Sequence, residues 1–167
     1  MDYLILFLTA SLVWYKSSSK KLSVTKIGNT NCSLLFPESI KFKRSKTKAL
    51  DELYFAEHRQ KKTSYGVICA LLAKELSADE SFQLLTSYMN GLHKPFYTQY
   101  NTGISKVENG CINNTVLSDY WQDKNGCDWQ VKGYTNGGRL AVLYVKNIND
   151  ATVENQDEFL DSFSFGH

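Results

Sequence analysis

The sequence predicts an α+β fold: an antiparallel β-sheet flanked by two amphipathic helices, an α/β/α sandwich. Three observations predict it. Apolar and polar residues alternate over three segments between 113 and 147, and both joins contain Asn-Gly, the dipeptide of tight hairpins. A capped, helix-period segment at 77–92 interrupts the strand pattern. The last ten residues, "EFLDSFSFGH", carry Phe159, Phe163 and Phe165, too much apolar surface for a segment fraying into water. The 167 residues are 43% apolar and 13% aromatic with only 2 prolines, a globular composition rich in the rings that strands favour.

The first segment, "MDYLILFLTASLVWYKSSSKK", holds an apolar run from Tyr3 to Tyr15. That run is short of the ~20 residues of a spanning helix and within the roughly 7–15 of a secretory apolar region. Residues 1–20 are therefore expected to be a hydrophobic signal or anchor-like segment with a polar linker, ahead of a single α+β domain over 21–167. Asp2 stands where an export signal carries Lys or Arg, so a helix docked on the domain is the competing reading.

"NCSLLFPE" and "SIKFKRS" read as short strands broken at Pro37, which cannot donate to a ladder. "DELYFAEHRQ" alternates, and "TSYGVICALLAKEL" follows across a Lys61-Lys62 turn. The latter is apolar at both parities, as a central strand covered on both faces requires. In "SADESFQLLTSYMNGL", Ser77 and Glu80 form an S-x-x-E box, and Phe82, Leu85, Met89 and Leu92 recur at helical spacing. Gly91 is placed to end that helix. "NTVLSDYWQ", "CDWQVKGY" and "RLAVLYVK" form a meander. "NINDATVENQDEFLDSF" then reads as the second helix, with Glu154, Asp157 and Glu158 in its first turns and Val153, Gln156, Leu160 and Phe163 along one stripe.

Candidate chemistry is sparse. Residues 1–74 carry 13 basic and 5 acidic side chains, residues 75–167 carry 6 and 12, for a net charge of +2. The basic clusters "KFKRSKTK" and "HRQKK" read as solvated strand ends, and the acidic half argues against a nucleic-acid partner. Cys32, Cys69, Cys111 and Cys127 fit no metal spacing, and four thiols leave three pairings open. No phosphate loop, dinucleotide fingerprint, nucleophile elbow or zinc motif occurs, and no cofactor is expected. His58 and Glu57, adjacent on a strand, point to opposite faces. The surface candidate is the meander: Tyr120, Trp121, Trp129, Lys132, Tyr134 and Arg139. Either these form an exposed aromatic patch for a partner, or the tryptophans pack under the helices.

Three segments give the order of elements a likeness. "GGRLAVLYV" (137–145) followed by "FLDSFSF" (159–165), together with "CSLLFPES" (32–39), resembles the closing hairpin and opening strand of the PsbP-like α/β/α sandwich superfamily. That group takes in photosystem II extrinsic subunits, exported DcrB-like lipoproteins and a eukaryotic branch that binds the Ran GTPase. The resemblance runs over roughly 22–165; "NTGISKVENG" stands where members carry a G-Y-P-G turn. It implies a non-catalytic accessory or binding protein; together with the N-terminal apolar run and the meander residues, the expectation is an exported or envelope-associated (periplasmic or extracytoplasmic) chain with an unidentified protein or glycan partner and a membrane tether through residues 1–20 as an option. The alternative is a cytoplasmic interaction module of the small-GTPase-regulator kind. An enzyme would require a pocket in which His58 or His93 meets a carboxylate or thiol.

Overall fold

A computed structural model describes residues 22–37, 40–46, 50–108, 114–148 and 156–166. The N-terminal apolar run, Cys111, Val153, Glu154 and His167 lie outside the described residues. In chain order the elements are β1 (Leu22–Lys26), β2 (Cys32–Pro37), β3 (Lys43–Ser45), β4 (Leu50–Gln60), β5 (Thr63–Leu72), α1 (Ala78–Leu92), β6 (Thr98–Asn101), β7 (Ser105–Val107), β8 (Thr115–Asp123), β9 (Asp128–Thr135), β10 (Arg139–Asn147), α2 (Gln156–Leu160) and β11 (Ser164–Phe165).

Among the described residues, eight strands form one antiparallel sheet in the order β3-β4-β5-β10-β9-β8-β6, with β7 also on β8. The predicted meander is its right half, and its last strand inserts beside β5, so that Ala141 lies opposite Cys69 and Tyr144 opposite Gly66. β5 and β10 are buried on both faces over most of their length, as their double-sided apolar sequence requires. Gly126 and Gly137 take the positive φ of the two hairpin turns, at 73° and 92°.

One face of the sheet carries α1. Ser77 caps its N-terminus, and the reciprocal bonds of the box are both made. Leu85, Met89 and Leu92 are buried on Leu117, Trp121, Trp129, Val131, Val142 and Tyr144. The helix sits close because Gly133 lies beneath it: a Cβ there would come within 2.6 Å of Met89 Sδ and 2.9 Å of Leu85 Cδ1. Two expectations for this helix are corrected. Ser81, not Phe82, joins the buried stripe, and Phe82 is 39% exposed. Gly91 does not stop the helix, which runs through Leu92 and unwinds in turns as far as Tyr97 at φ 55°.

The other face is covered differently from the expectation. Only one turn of the second helix, α2, falls among the described residues, and the covering layer is chiefly a three-stranded sheet, β1-β2-β11. Leu34, Phe36, Phe159, Leu160 and Phe163 from this layer pack on Tyr54, Tyr65, Val67, Cys69, Leu143 and Val145. The terminal phenylalanines are indeed core: Phe159 is fully buried between Phe36 and Tyr65, with ring centroids 5.5 and 5.3 Å away.

Candidate functional site

The meander sorts the predicted residues onto two faces. On β8, Leu117, Asp119, Trp121 and Asp123 turn towards α1, and on β9 Trp129, Val131 and Gly133 do the same. Ser118, Tyr120, Gln130 and Lys132 turn the other way, in register as Ser118 opposite Lys132 and Tyr120 opposite Gln130. Trp121 and Trp129, opposite each other, are 0% and 4% exposed, which corrects the exposed aromatic patch and leaves the packed alternative.

A buried indole carries an N–H that needs an acceptor, and each tryptophan has an aspartate for it. Trp121 Nε1 donates to Asp119 Oδ2 at 2.7 Å, and Trp129 Nε1 to Asp123 Oδ2 at 3.1 Å. Asp123 also accepts from the backbone N–H groups of Asn125 and Cys127 at 2.9 and 3.0 Å and pairs with Lys146 Nζ at 2.9 Å, while Lys146 lies over the Trp129 ring. Burial opposes ionisation of Asp123, but the four donors outweigh it and hold its pKa below the ordinary value.

His93 does meet a carboxylate. Its ring stands edge-on to Trp121, and Nε2 is 3.5 Å from Asp119 Oδ2, yet that nitrogen is buried and makes no hydrogen bond. Asp119 already accepts from Trp121 Nε1, the Tyr120 N–H (2.8 Å) and Thr102 Oγ1 (3.2 Å). The carboxylate sits at the hub of these three donors. Glu57 lies across the sheet from His58's face, accepting from Tyr144 Oη at 2.5 Å.

The opposite face of the meander forms an open groove of about 240 Å³. Ser118, Tyr120, Gln130 and Lys132 line its floor, Thr102 and Ser105 one wall, and Leu160 the other. Lys132 pairs with Asp161 just beyond α2. Ser105 Oγ and Ser118 Oγ are 2.9 Å apart, and Thr102 Oγ1 donates inward to Asp119. The volume is below the ~300 Å³ where small-molecule pockets begin. The groove's lining residues carry hydroxyl, amide and ammonium groups set among apolar side-chain atoms. Of the predicted set it contains Tyr120 and Lys132. Tyr134 is buried beside it, its hydroxyl donating to the Leu160 carbonyl oxygen, and Arg139 lies elsewhere, near Cys32 and Cys69. Gln130 and Ser118 were missed by the sequence, although the alternation of β9 places Gln130 on the face of Lys132.

A mainly antiparallel sheet with α1 on one face and the β1-β2-β11 layer on the other is matched, over 92% of this chain and 97% of its own, by the solution structure of cyanobacterial PsbP (CyanoP) from Synechocystis sp. PCC 6803. The TM-score is 0.55 and the sequence identity 11%. The fold is PsbP-like. At that identity the likeness concerns architecture alone. No protein-family model matches the chain, and comparison with curated proteins finds no match. No helix among the described residues is long and apolar enough to cross a membrane.

Proposed function

We propose that this chain is a non-catalytic accessory or binding protein, exported or envelope-associated, whose contact surface is the polar face of the meander centred on Tyr120, Gln130 and Lys132. The observation that carries the reading is the groove itself. It gathers hydroxyl, amide and ammonium groups on β8 and β9, while the buried carboxylates nearby are occupied by indole and backbone donors. A surface of this kind suits a protein or glycan partner, bound through hydrogen bonds around a partly exposed ring. The PsbP-like fold and the N-terminal apolar run support an extracytoplasmic setting. Fractionation of the native cell tests it: the expected result is a chain shortened at its N-terminus, or membrane-tethered, outside the cytoplasm. Full-length soluble protein in the cytoplasm would sink the proposal.

The cytoplasmic interaction module is the second reading. It is favoured by three buried cysteines, Cys32, Cys69 and Cys127, each free.

A further inference from the structure

We propose that one end of the eight-stranded sheet is a membrane-surface contact, where the lysines of three connections and the ring of Tyr97 seat the domain on an anionic lipid bilayer. The registers define that end. A single row crosses the sheet as Gln60, Thr63, Asn147, Asp128, Gln122 and Tyr100, each the partner of the next. Past this row the chain turns three times: at Lys61-Lys62 between β4 and β5, at 93–97 between α1 and β6, and at 124–127 between β8 and β9. The last two are joined, since the Lys124 N–H donates to the Tyr97 carbonyl oxygen at 3.1 Å. Lys61, Lys62, Lys94, Lys124 and Tyr97 are all exposed, Tyr97 at 66%. At about 4.8 Å per strand they spread over roughly 20 Å of the sheet's end.

Two of these residues stand where a smaller one would cost less. Lys61, the first of the two turn residues between Gln60 and Thr63, has φ 54°, and Tyr97 has φ 55°. The left-handed region suits Gly and Asn and is an outlier for a bulky side chain, and a two-residue hairpin takes Gly or Asn at its first position. Among the described residues the remaining non-glycine with positive φ is Asn31, a type that tolerates it. A cation and a ring are thus held at this end against backbone preference, an outlier of the kind that marks a functional position.

The charges are open. Among the described residues none of these four lysines is ion-paired, whereas Arg44, Lys132 and Lys146 each have a carboxylate. The described carboxylates at this end are occupied, Asp123 by Lys146 and Trp129, and Asp128 by the Gln122 amide at 3.2 Å. The opposite end, where β5 passes into α1, carries Glu75, Asp79 and Glu80 against Lys74. Four ammonium groups on flexible stems act as point charges, without the fork that reads one oriented carboxylate. They match the diffuse negative plane of a lipid headgroup layer, and tyrosine is a side chain that settles at that level. The proposal rests on the envelope-associated reading given above.

The test floats the purified full chain on vesicles of phosphatidylcholine alone and of equal parts phosphatidylcholine and phosphatidylglycerol. The apolar run at 3–15 can hold the chain on both, so the difference between the two reads this end. The anionic vesicles should bind more, and the excess should disappear at about 1 M salt. At about fivefold per lysine, Lys61→Gly with Lys62→Asn should cut the excess roughly 25-fold. That variant should melt no lower than the native chain, since Gly and Asn fit the turn. Tyr97→Asn should weaken binding as well. Lys74→Gln with Lys106→Gln removes the same charge elsewhere and should leave the excess unchanged. Equal binding to the two vesicles, an excess that survives salt, no loss in the turn variant, or an equal loss in the Lys74 and Lys106 variant would each overturn the proposal. So would duplex DNA held as tightly as the anionic vesicles, which would make this end a general polyanion site. Cell fractionation reports where the chain resides and fails separately from this result.

Discussion

Phe159→Ala measures how firmly the terminal segment holds the two layers together. The ring is fully buried and touches Phe36 of the small sheet and Tyr65 of the large one, so it is a direct tie between them. Truncating such a phenylalanine costs about 3–5 kcal/mol, transfer and cavity together, including the ~0.5–1.5 kcal/mol of each aromatic contact. Domains of this class are stable by roughly 5–15 kcal/mol, so between about a fifth and all of the margin is at stake. With a urea slope of about 2 kcal/mol per molar, the unfolding midpoint should fall by ~1.5–2.5 M with the slope unchanged. Phe159→Leu, which keeps most of the volume, should lose less than half of that. A loss below about 1 kcal/mol for the alanine variant would show that the small sheet holds without its terminal tie and would refute the layered core.

Asp123→Ala removes the acceptor of Trp129, of two backbone N–H groups and of Lys146, and breaking such a buried pair should cost about 3–5 kcal/mol by urea denaturation. Because the folded-state pKa of Asp123 is depressed, its contribution is fully present above the unfolded value of about 3.9 and is lost as pH falls through the folded value. A midpoint series between pH 7 and 3 should therefore fall more steeply for the native protein than for Asp123→Asn. Gly66→Ala should unfold the protein or leave it several kcal/mol weaker: its Cβ would lie 2.0 Å from Tyr144 Cζ, whose hydroxyl crosses Gly66 to reach Glu57. Paired Tyr120→Ala and Gln130→Ala should leave the melting temperature within a few degrees and abolish partner binding, read by titration against the protein or glycan identified from the native envelope.

Much of the fold was legible because local chemistry and tertiary packing agree. The capping box at Ser77 and Glu80, the hairpin glycines at 126 and 137 and the two-sided apolar run of β5 each follow from backbone physics that neighbours do not override. β1, β6 and β7 were not foreseen. They have five, four and three residues, and in β1 the apolar Val24 is 74% exposed, so alternation there misreports the face. The aromatic patch failed for a different reason. Tyr120 and Trp121 are sequence neighbours on opposite faces, and composition alone cannot say which face is covered. The signal was present in the spacing: Asp119 stands two residues before Trp121, on its own face, as an acceptor for a buried indole must.

The groove and the small sheet belong to one mechanical unit. Cys32 lies opposite Phe165 in the β2–β11 ladder, the Leu35 N–H donates to Ser162 Oγ at 2.9 Å, and one and two residues earlier Asp161 pairs with Lys132 while Leu160, a wall of the groove, accepts from Tyr134 Oη. An opening of the small sheet must break these bonds in turn and carry the wall away from Tyr120 and Gln130. Amide hydrogen exchange reads this directly. Residues 32–36 and 159–166 should exchange as one cooperative group, at rates well separated from those of β5 and β10. Protection of the two segments that differs by more than about 2 kcal/mol would mean that the groove is held independently of the layer above it.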